Sequence, residues 1–285
     1  IPLAYLSMLG KVENSGSSDE KYQVVLCSLD IKDAFLQVPQ ENVVEVMLHD
    51  VKYVVLKNLP GQRLGAKAWY WHFRKYISET LDCSWCVEQP CLEKCVAGGI
   101  SNCFLIHVDD LLFAGSRDFW EGKFLPAVTS KFNVNFSEIK GDGSSIHFLK
   151  RQLVKVKDGL LVVPGTTSGK IIAYFEKFFG FARSQKIPCD SSIQNDDKSQ
   201  LLNENDSKAF RSVIGLLLYA ARDRVDVMYC VKELSSFMSC PTVCALQKMR
   251  KLVGYLKATG DMAMRLSLPE FGAAKLKKNG EKIGR

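Results

Sequence analysis

No apolar run in this 285-residue chain approaches the roughly 20 residues that a membrane-spanning helix needs. The opening stretch, IPLAYLSMLG, lacks the basic start of a signal peptide. The four histidines (His49, His72, His107 and His147) are scattered without ligand spacing, which argues against a histidine metal site. There is no internal repeat and no acidic excess: 38 Lys and Arg stand against 31 Asp and Glu, a formal net charge of +7. These absences exclude a helical membrane span and leave no membrane partner to expect. A mild basic excess suits a polyanionic partner and is also ordinary for a globular protein. Ten cysteines without a secretory signal read as reduced thiols of an intracellular protein. The length suffices for one large domain or two small ones. The first residue is Ile1 rather than Met, so the chain reads as a fragment of something longer.

What is present centres on FLIHVDDLLFAG. Apolar residues run from Phe104 to Val108 and resume from Leu111 to Phe113, with Asp109 and Asp110 between them. That pattern predicts two strands joined by a tight turn with both carboxylates at its tip. Two like charges beside an apolar hairpin are costly unless cations neutralise them. Mg²⁺ suits such a place, because it takes hard carboxylate oxygens and keeps positions for phosphates. A third acid, Asp30, ends the apolar run Val24 to Leu29. If its strand lies beside the hairpin, three carboxylates converge. Such a cluster can hold two divalent ions for in-line nucleotidyl transfer. Taken singly, Asp30 is a strand-end cap and Asp109-Asp110 an ordinary turn.

Together, LDIKDAFLQVP followed by VDD resembles the palm of reverse transcriptases, closest to the Ty1/copia retrotransposon type. The family's middle motif, K-S-L-Y-G-L-K-Q-A-P-R-A-W-Y, matches Lys57 to Tyr70 without a gap. Further on, Arg211, Gly215, Tyr219, Arg224, Asp226, Leu234, Ser235, Phe237, Met238, Pro241 and Thr242 fall at the steps of its later motifs. GYLKAT, Gly254 to Thr259, resembles R-Y-L-K-G-T.

The resemblance implies an α+β fold: a right-hand polymerase palm, an antiparallel sheet with packed helices, with partial fingers and a helical thumb. It implies RNA-directed DNA polymerase activity, with catalytic and metal-binding Asp30, Asp109 and Asp110, and two Mg²⁺ ions, Mn²⁺ being the alternative. Phe35 would exclude a ribose 2′-OH, although it is otherwise a core residue. Gly61, Gln62, Arg63 and His107 would meet the nucleotide, although Pro60-Gly61 is also a plain turn. Partners would be an RNA or DNA template with its primer, and dNTPs. RNase H and integrase domains are expected in an intact polyprotein, not here. Location would be a cytoplasmic particle, the nucleus, or both.

The expected layout is partial fingers and palm over 1–155, a connection and polar linker over 156–205, a thumb over 206–266, and a basic tail over 267–285. Periodicity predicts helices over Ile1 to Leu9, Lys67 to Thr80, Asp118 to Phe132, Ile171 to Phe181, Asp206 to Arg222, Asp226 to Met238 and Thr242 to Ala258. Strand pairs are expected at Val43 to Leu48 with Lys52 to Leu56, and at Ile146 to Lys155 with Gly159 to Val163. Glu13 to Glu20 is expected to be a loop. In the last helix Lys248, Arg250, Lys251 and Lys257 form a basic stripe. In a thumb it would track the primer–template backbone; as an ordinary amphipathic helix it would be a solvated face.

Departures from the family pattern are specific. His107 replaces the Tyr of YVDD, Leu64 replaces a Gln, and Lys150 replaces the Gly of F-L-G. Only 29 residues precede Asp30, so upstream fingers strands are expected to be missing. A catalytically inactive remnant that keeps the fold and binds nucleic acid is therefore a second reading. A metal-dependent phosphatase or nuclease is a distant third. Cys83, Cys86, Cys91 and Cys95 give C-x2-C-x4-C-x3-C, unlike paired C-x2-C knuckles, so they read as free thiols before zinc ligands.

Overall fold

The computed structural model describes residues 23–87, 89–97, 100–157, 159–189 and 199–267. The expected helix at Ile1 to Leu9, the loop at Glu13 to Glu20, residues 190–198 of the polar linker and 268–285 of the basic tail lie outside these residues. The architecture is α+β and divides into two compact units. One comprises 1–146, 156–160 and 266–285, the other 147–155 and 161–265.

In the first unit, β1 (Val24–Ile31) is followed by a 3₁₀ turn at Ala34–Gln37 and by the ribbon β2 (Pro39–Leu48) and β3 (Val51–Lys57). The helix α1 (Gly65–Thr80) precedes β4 (Ser84–Trp85), β5 (Leu92–Ala97), β6 (Ile100–His107) and β7 (Asp110–Ser116). One helical turn, α2 (Arg117–Phe119), leads through a π turn at Trp120–Phe124 into α3 (Leu125–Lys131), and β8 (Val134–Glu138) follows. The large sheet runs β4-β5-β6-β7-β1-β8, and every pairing within it is antiparallel.

Strand alternation sorts its faces. Val25, Cys27, Leu29 and Ile31 of β1, Phe104 and Ile106 of β6, and Leu111 and Phe113 of β7 enter one apolar core. Trp69, Phe73 and Ile77 of α1 enter it too, with Trp120, Phe124 and Val128 of the second helical segment. These are the side chains at i, i+4 and i+8 that an amphipathic helix buries. Gly115 is fixed by packing, because a Cβ there would sit 2.3 Å from Asn102 Oδ1. That oxygen accepts the Ser116 amide at 2.8 Å.

The ribbon stands apart in topology as a two-stranded sheet. Its turn is the expected His49-Asp50, both left-handed at φ 49° and 60°. Register places Val44, Val46, Leu48, Val51, Tyr53 and Val55 on one face, which is apolar throughout. Val46, Leu48, Val51 and Tyr53 are exposed.

Strands β9 (Ser145–Phe148), β10 (Arg151–Val156), β11 (Gly159–Val163) and β12 (Met264–Ser267) form a four-stranded sheet in the order β12-β11-β10-β9. The expectation of one strand over Ile146 to Lys155 is corrected: the chain reverses at Leu149-Lys150, left-handed at φ 48° and 64°. The missing glycine hid this turn, which two non-glycine residues adopt against their steric preference.

The second unit contains α4 (Thr167–Phe179), α5 (Glu204–Ala220), α6 (Met228–Ser235) and α7 (Val243–Ala258). They share a core of Ile171, Phe175, Phe210, Val213, Leu217, Val231, Met249 and Leu252 among others. The RxD step is structural here. Arg224, 2% exposed, donates to both Asp226 carboxylate oxygens at 3.0 and 2.8 Å and to the Thr259 carbonyl at 3.0 Å. The Tyr255 hydroxyl donates to Asp226 at 2.8 Å. These bonds hold the Asp226 carboxyl below its usual value.

Two expectations about cysteine and charge are corrected. Cys83 and Cys95 form a disulfide, so the four-cysteine run is neither a zinc set nor wholly free thiols. The proposed basic stripe is partly consumed inside the unit. Arg250 donates to the carbonyls of Phe179 at 2.6 Å and Phe181 at 2.9 Å, closing the C-terminus of α4. Lys257 pairs with Glu176 at 2.8 Å and lies 3.9 Å from the centre of the Phe181 ring. Both therefore serve helix packing, as cations near a helix C-terminus do. Lys248 is half-buried and Lys251 exposed.

Candidate active site

Asp30 and Asp110 stand side by side because β1 lies beside the β6–β7 hairpin. Asp30 is the direct cross-strand partner of Asp110, and His107 of Asp110 on the other side. Directly opposed residues place their Cβ atoms about 5 Å apart. Since Leu29, Ile31 and Leu111 enter the core, alternation turns Asp30, Asp110 and His107 to the opposite face of the sheet. Asp109 lies in the turn rather than beside Asp110 at its tip, because Asp110 already begins β7. The Asp109 carbonyl accepts the Ile31 amide at 3.0 Å, which ties the turn to the strand of Asp30.

The two-residue turn Val108-Asp109 is tight and strained. Val108 is left-handed at φ 58°, a region that a β-branched residue avoids. Its carbonyl accepts a hydrogen bond from Trp69 Nε1 at 2.6 Å. Trp69 has no exposed surface, and its ring meets Phe73 and Phe132 at 5.5 and 5.4 Å. The core helix α1 thus fixes the turn that carries Asp109. The sequence marks Trp69 only as part of the expected helix Lys67 to Thr80; its N–H, which a buried indole must satisfy, is the signal for this contact.

Electrostatics follow from this register. Burial pushes the Asp110 carboxyl up, the charges of Asp109 and Asp30 push it further, and His107 pulls it down. Like charges directly opposed across strands oppose folding. Three carboxylates supply the hard oxygens that Mg²⁺ takes, so the donor chemistry fits that ion. Among the described residues, no three His, Cys, Asp or Glu side chains are gathered round one point as a metal group. The fit is thus one of donor type and backbone register.

The other predicted residues separate into two places. Phe35 lies on the 3₁₀ turn after β1, half-buried against the core, and a Cβ on Gly65 would stand 3.1 Å from its ring. Gly61 is left-handed at φ 91° with open space where a Cβ would be. The Gln62 side chain accepts the Leu59 amide at 3.1 Å and so closes this turn locally. Arg63 and Leu64 are exposed at the start of α1.

The chain is 26% identical over 210 residues to a retrovirus-related Pol polyprotein from transposon RE1 of Arabidopsis thaliana, covering 71% of this chain and 13% of that protein. It is 24% identical over 251 residues to the counterpart from transposon RE2 of the same plant, covering 82% and 16%. No family model matches. Among solved structures, a foamy viral protease-reverse transcriptase in complex with RNA/DNA hybrid aligns over 85% of this chain and 28% of its own at 13% identity, with a TM-score of 0.45. A telomerase from Candida albicans aligns over 91% and 47% at 9% identity, with a TM-score of 0.32. This chain is a relative of the copia-type transposon Pol polyproteins and corresponds to about one-seventh of their length.

Proposed function

We propose that this chain is the RNA-directed DNA polymerase segment of a Ty1/copia-like Pol polyprotein, transferring nucleotides from dNTPs to a primer 3′-OH on an RNA or DNA template. The observation that carries the reading is the cross-strand pair Asp30–Asp110 with Asp109 in the adjoining turn. Packing and capping give no reason to oppose two acids there. Asp30, Asp109 and Asp110 would hold Mg²⁺ or Mn²⁺, which supplies charge neutralisation and an activated oxygen nucleophile. Phe35 would lie under the sugar of the incoming nucleotide, and His107 would face the primer end. The open backbone at Gly61 would let a nucleotide approach closely. In the intact polyprotein, RNase H and integrase segments would accompany this one.

A second reading, a non-catalytic nucleic-acid binder with the same fold, is favoured by Leu64, which replaces a hydrogen-bonding Gln of the family pattern with an exposed apolar side chain. Extension of an oligo(dT) primer on an RNA template separates the two. Mg²⁺-dependent dNTP incorporation that disappears in Asp109→Asn is expected. No incorporation, with salt-sensitive primer–template binding intact in both proteins, would replace the polymerase reading with the second one.

A further inference from the structure

A cleft of about 500 Å³ lies between the start of β2 and α1, with Pro39, Glu41, Lys67, Trp71, His72 and Lys75 in its lining. Three of these residues, Lys67, Trp71 and Lys75, stand at i, i+4 and i+8 of α1. They therefore form one stripe, with the indole between the two ammonium groups and about 12 Å from first to last. Trp71 is 51% exposed, a large apolar area to leave in water. Its ring is not loose: Tyr70 meets it edge-on at 5.4 Å, and the Arg74 guanidinium lies 5.0 Å from its centre.

Beside the stripe, His72 Nε2 is buried without a hydrogen-bond partner, and so is Gln40 Oε1 next to Pro39 and Glu41. Burial and the nearby Lys131, Lys57 and Lys75 hold the His72 imidazole below its ordinary value, so it stays neutral. Positive charge from Lys67 and Lys75 thus borders the cleft, and His72 belongs to its lining. Among the described residues, Glu41 is the only acid lining it. An exposed indole between two ammonium groups suits the base and flanking phosphates of a nucleotide. Single-strand sites combine such aromatic platforms and cations.

We propose that this cleft holds one nucleotide of a single-stranded nucleic acid, its base against Trp71 and its flanking phosphates at Lys67 and Lys75. The proposal rests on the polymerase reading only for the class of partner. The cleft is built from α1 and β2, and none of its lining residues belongs to the acidic site. The strand that occupies it would be unpaired, since a duplex does not offer a base face to an indole.

Anisotropy of a fluorescein-labelled oligo(dT) 12-mer, titrated without divalent ions over 50–200 mM salt, tests it. Trp71→Ala is expected to weaken binding about tenfold, as loss of one base–aromatic stack does, and Trp71→Phe by less than threefold. Lys67→Ala/Lys75→Ala is expected to reduce the slope of log K against log salt by about 1.4, at 0.7 per phosphate contact. Far-ultraviolet circular dichroism checks that each variant is folded. Unchanged affinity in folded Trp71→Ala, or an unchanged salt slope in the double variant, overturns the proposal. Absence of polymerase activity in the parent bears on the acidic site alone, because this binding assay needs neither metal nor dNTP.

Discussion

Trp69→Phe isolates the link between the core and the acidic turn. The substitution keeps an aromatic ring in the core but removes the N–H that donates to Val108 at 2.6 Å. Leaving that part-buried carbonyl without a partner costs about 1–3 kcal/mol. The void left by the smaller ring adds about 1 kcal/mol, since Trp69 has no exposed surface through which neighbours can relax. Left-handed Val108 already stores about 1–3 kcal/mol of strain, which favours relaxation once its anchor is gone. The loss of about 2–4 kcal/mol should therefore appear as local opening of the turn. The Ile31 amide is the reporter, because it donates to Asp109 in that turn. At about 1.4 kcal/mol per decade, its hydrogen exchange should quicken roughly 30- to 900-fold. The Ile139 amide, bonded to Leu26 near the other end of β1, serves as the internal reference. Equal acceleration at Ile31 and Ile139 would falsify the idea that Trp69 acts on the turn, leaving it a general core residue.

Two further perturbations address charge and backbone. Glu93 is fully buried, its carboxylate oxygens have no partner, and burial raises its pKa to about 8, against a smaller opposing pull from Arg74. A folded-state pKa above the unfolded value means a contribution complete below about 4.5 and lost as pH rises through about 8. The melting temperature of Glu93→Gln should therefore gain on the parent between pH 6 and pH 9; a pH-independent difference would sink this account. Lys150→Gly should stabilise by up to about 1 kcal/mol, because the left-handed strain of about 1–2 kcal/mol at φ 64° outweighs glycine's added chain entropy. Urea denaturation checks it, and a destabilised variant would mean that the lysine side chain holds the turn.

The sheet that carries the acids was legible because its residues agree at every level. Apolar runs in Val24 to Leu29 and Phe104 to Val108 predicted strands, and the acids marked their ends. The pairing of Asp30 with Asp110 was stated only as a condition, since register between distant strands is not written in either strand alone. The helices of the second unit were recovered within a few residues at most ends. The turn at Leu149-Lys150 was not, because both residues adopt left-handed backbone that their side chains disfavour and tertiary contacts decide such a place. Arg250 and Lys257 show the same limit for charge. A basic stripe read along one helix cannot reveal that the end of another helix takes two of its members. The Cys83–Cys95 bond was missed for a related reason, since pairing at a separation of 12 residues depends on how the β4–β5 region folds back.

The β2–β3 ribbon has a consequence for how this chain behaves in solution. Its sequence VVEVML followed by VKYVVL is β-prone, proline-free and nearly uncharged on one face. Both long edges are unpaired among the described residues, so each presents backbone donors and acceptors to any strand that arrives. Concentrated solutions should therefore associate through the ribbon before the cores unfold, and colloidal stability would track that hairpin rather than the melting temperature. A charged residue in place of Val46 or Tyr53 is the simplest way to keep the chain dispersed while leaving the acidic site untouched.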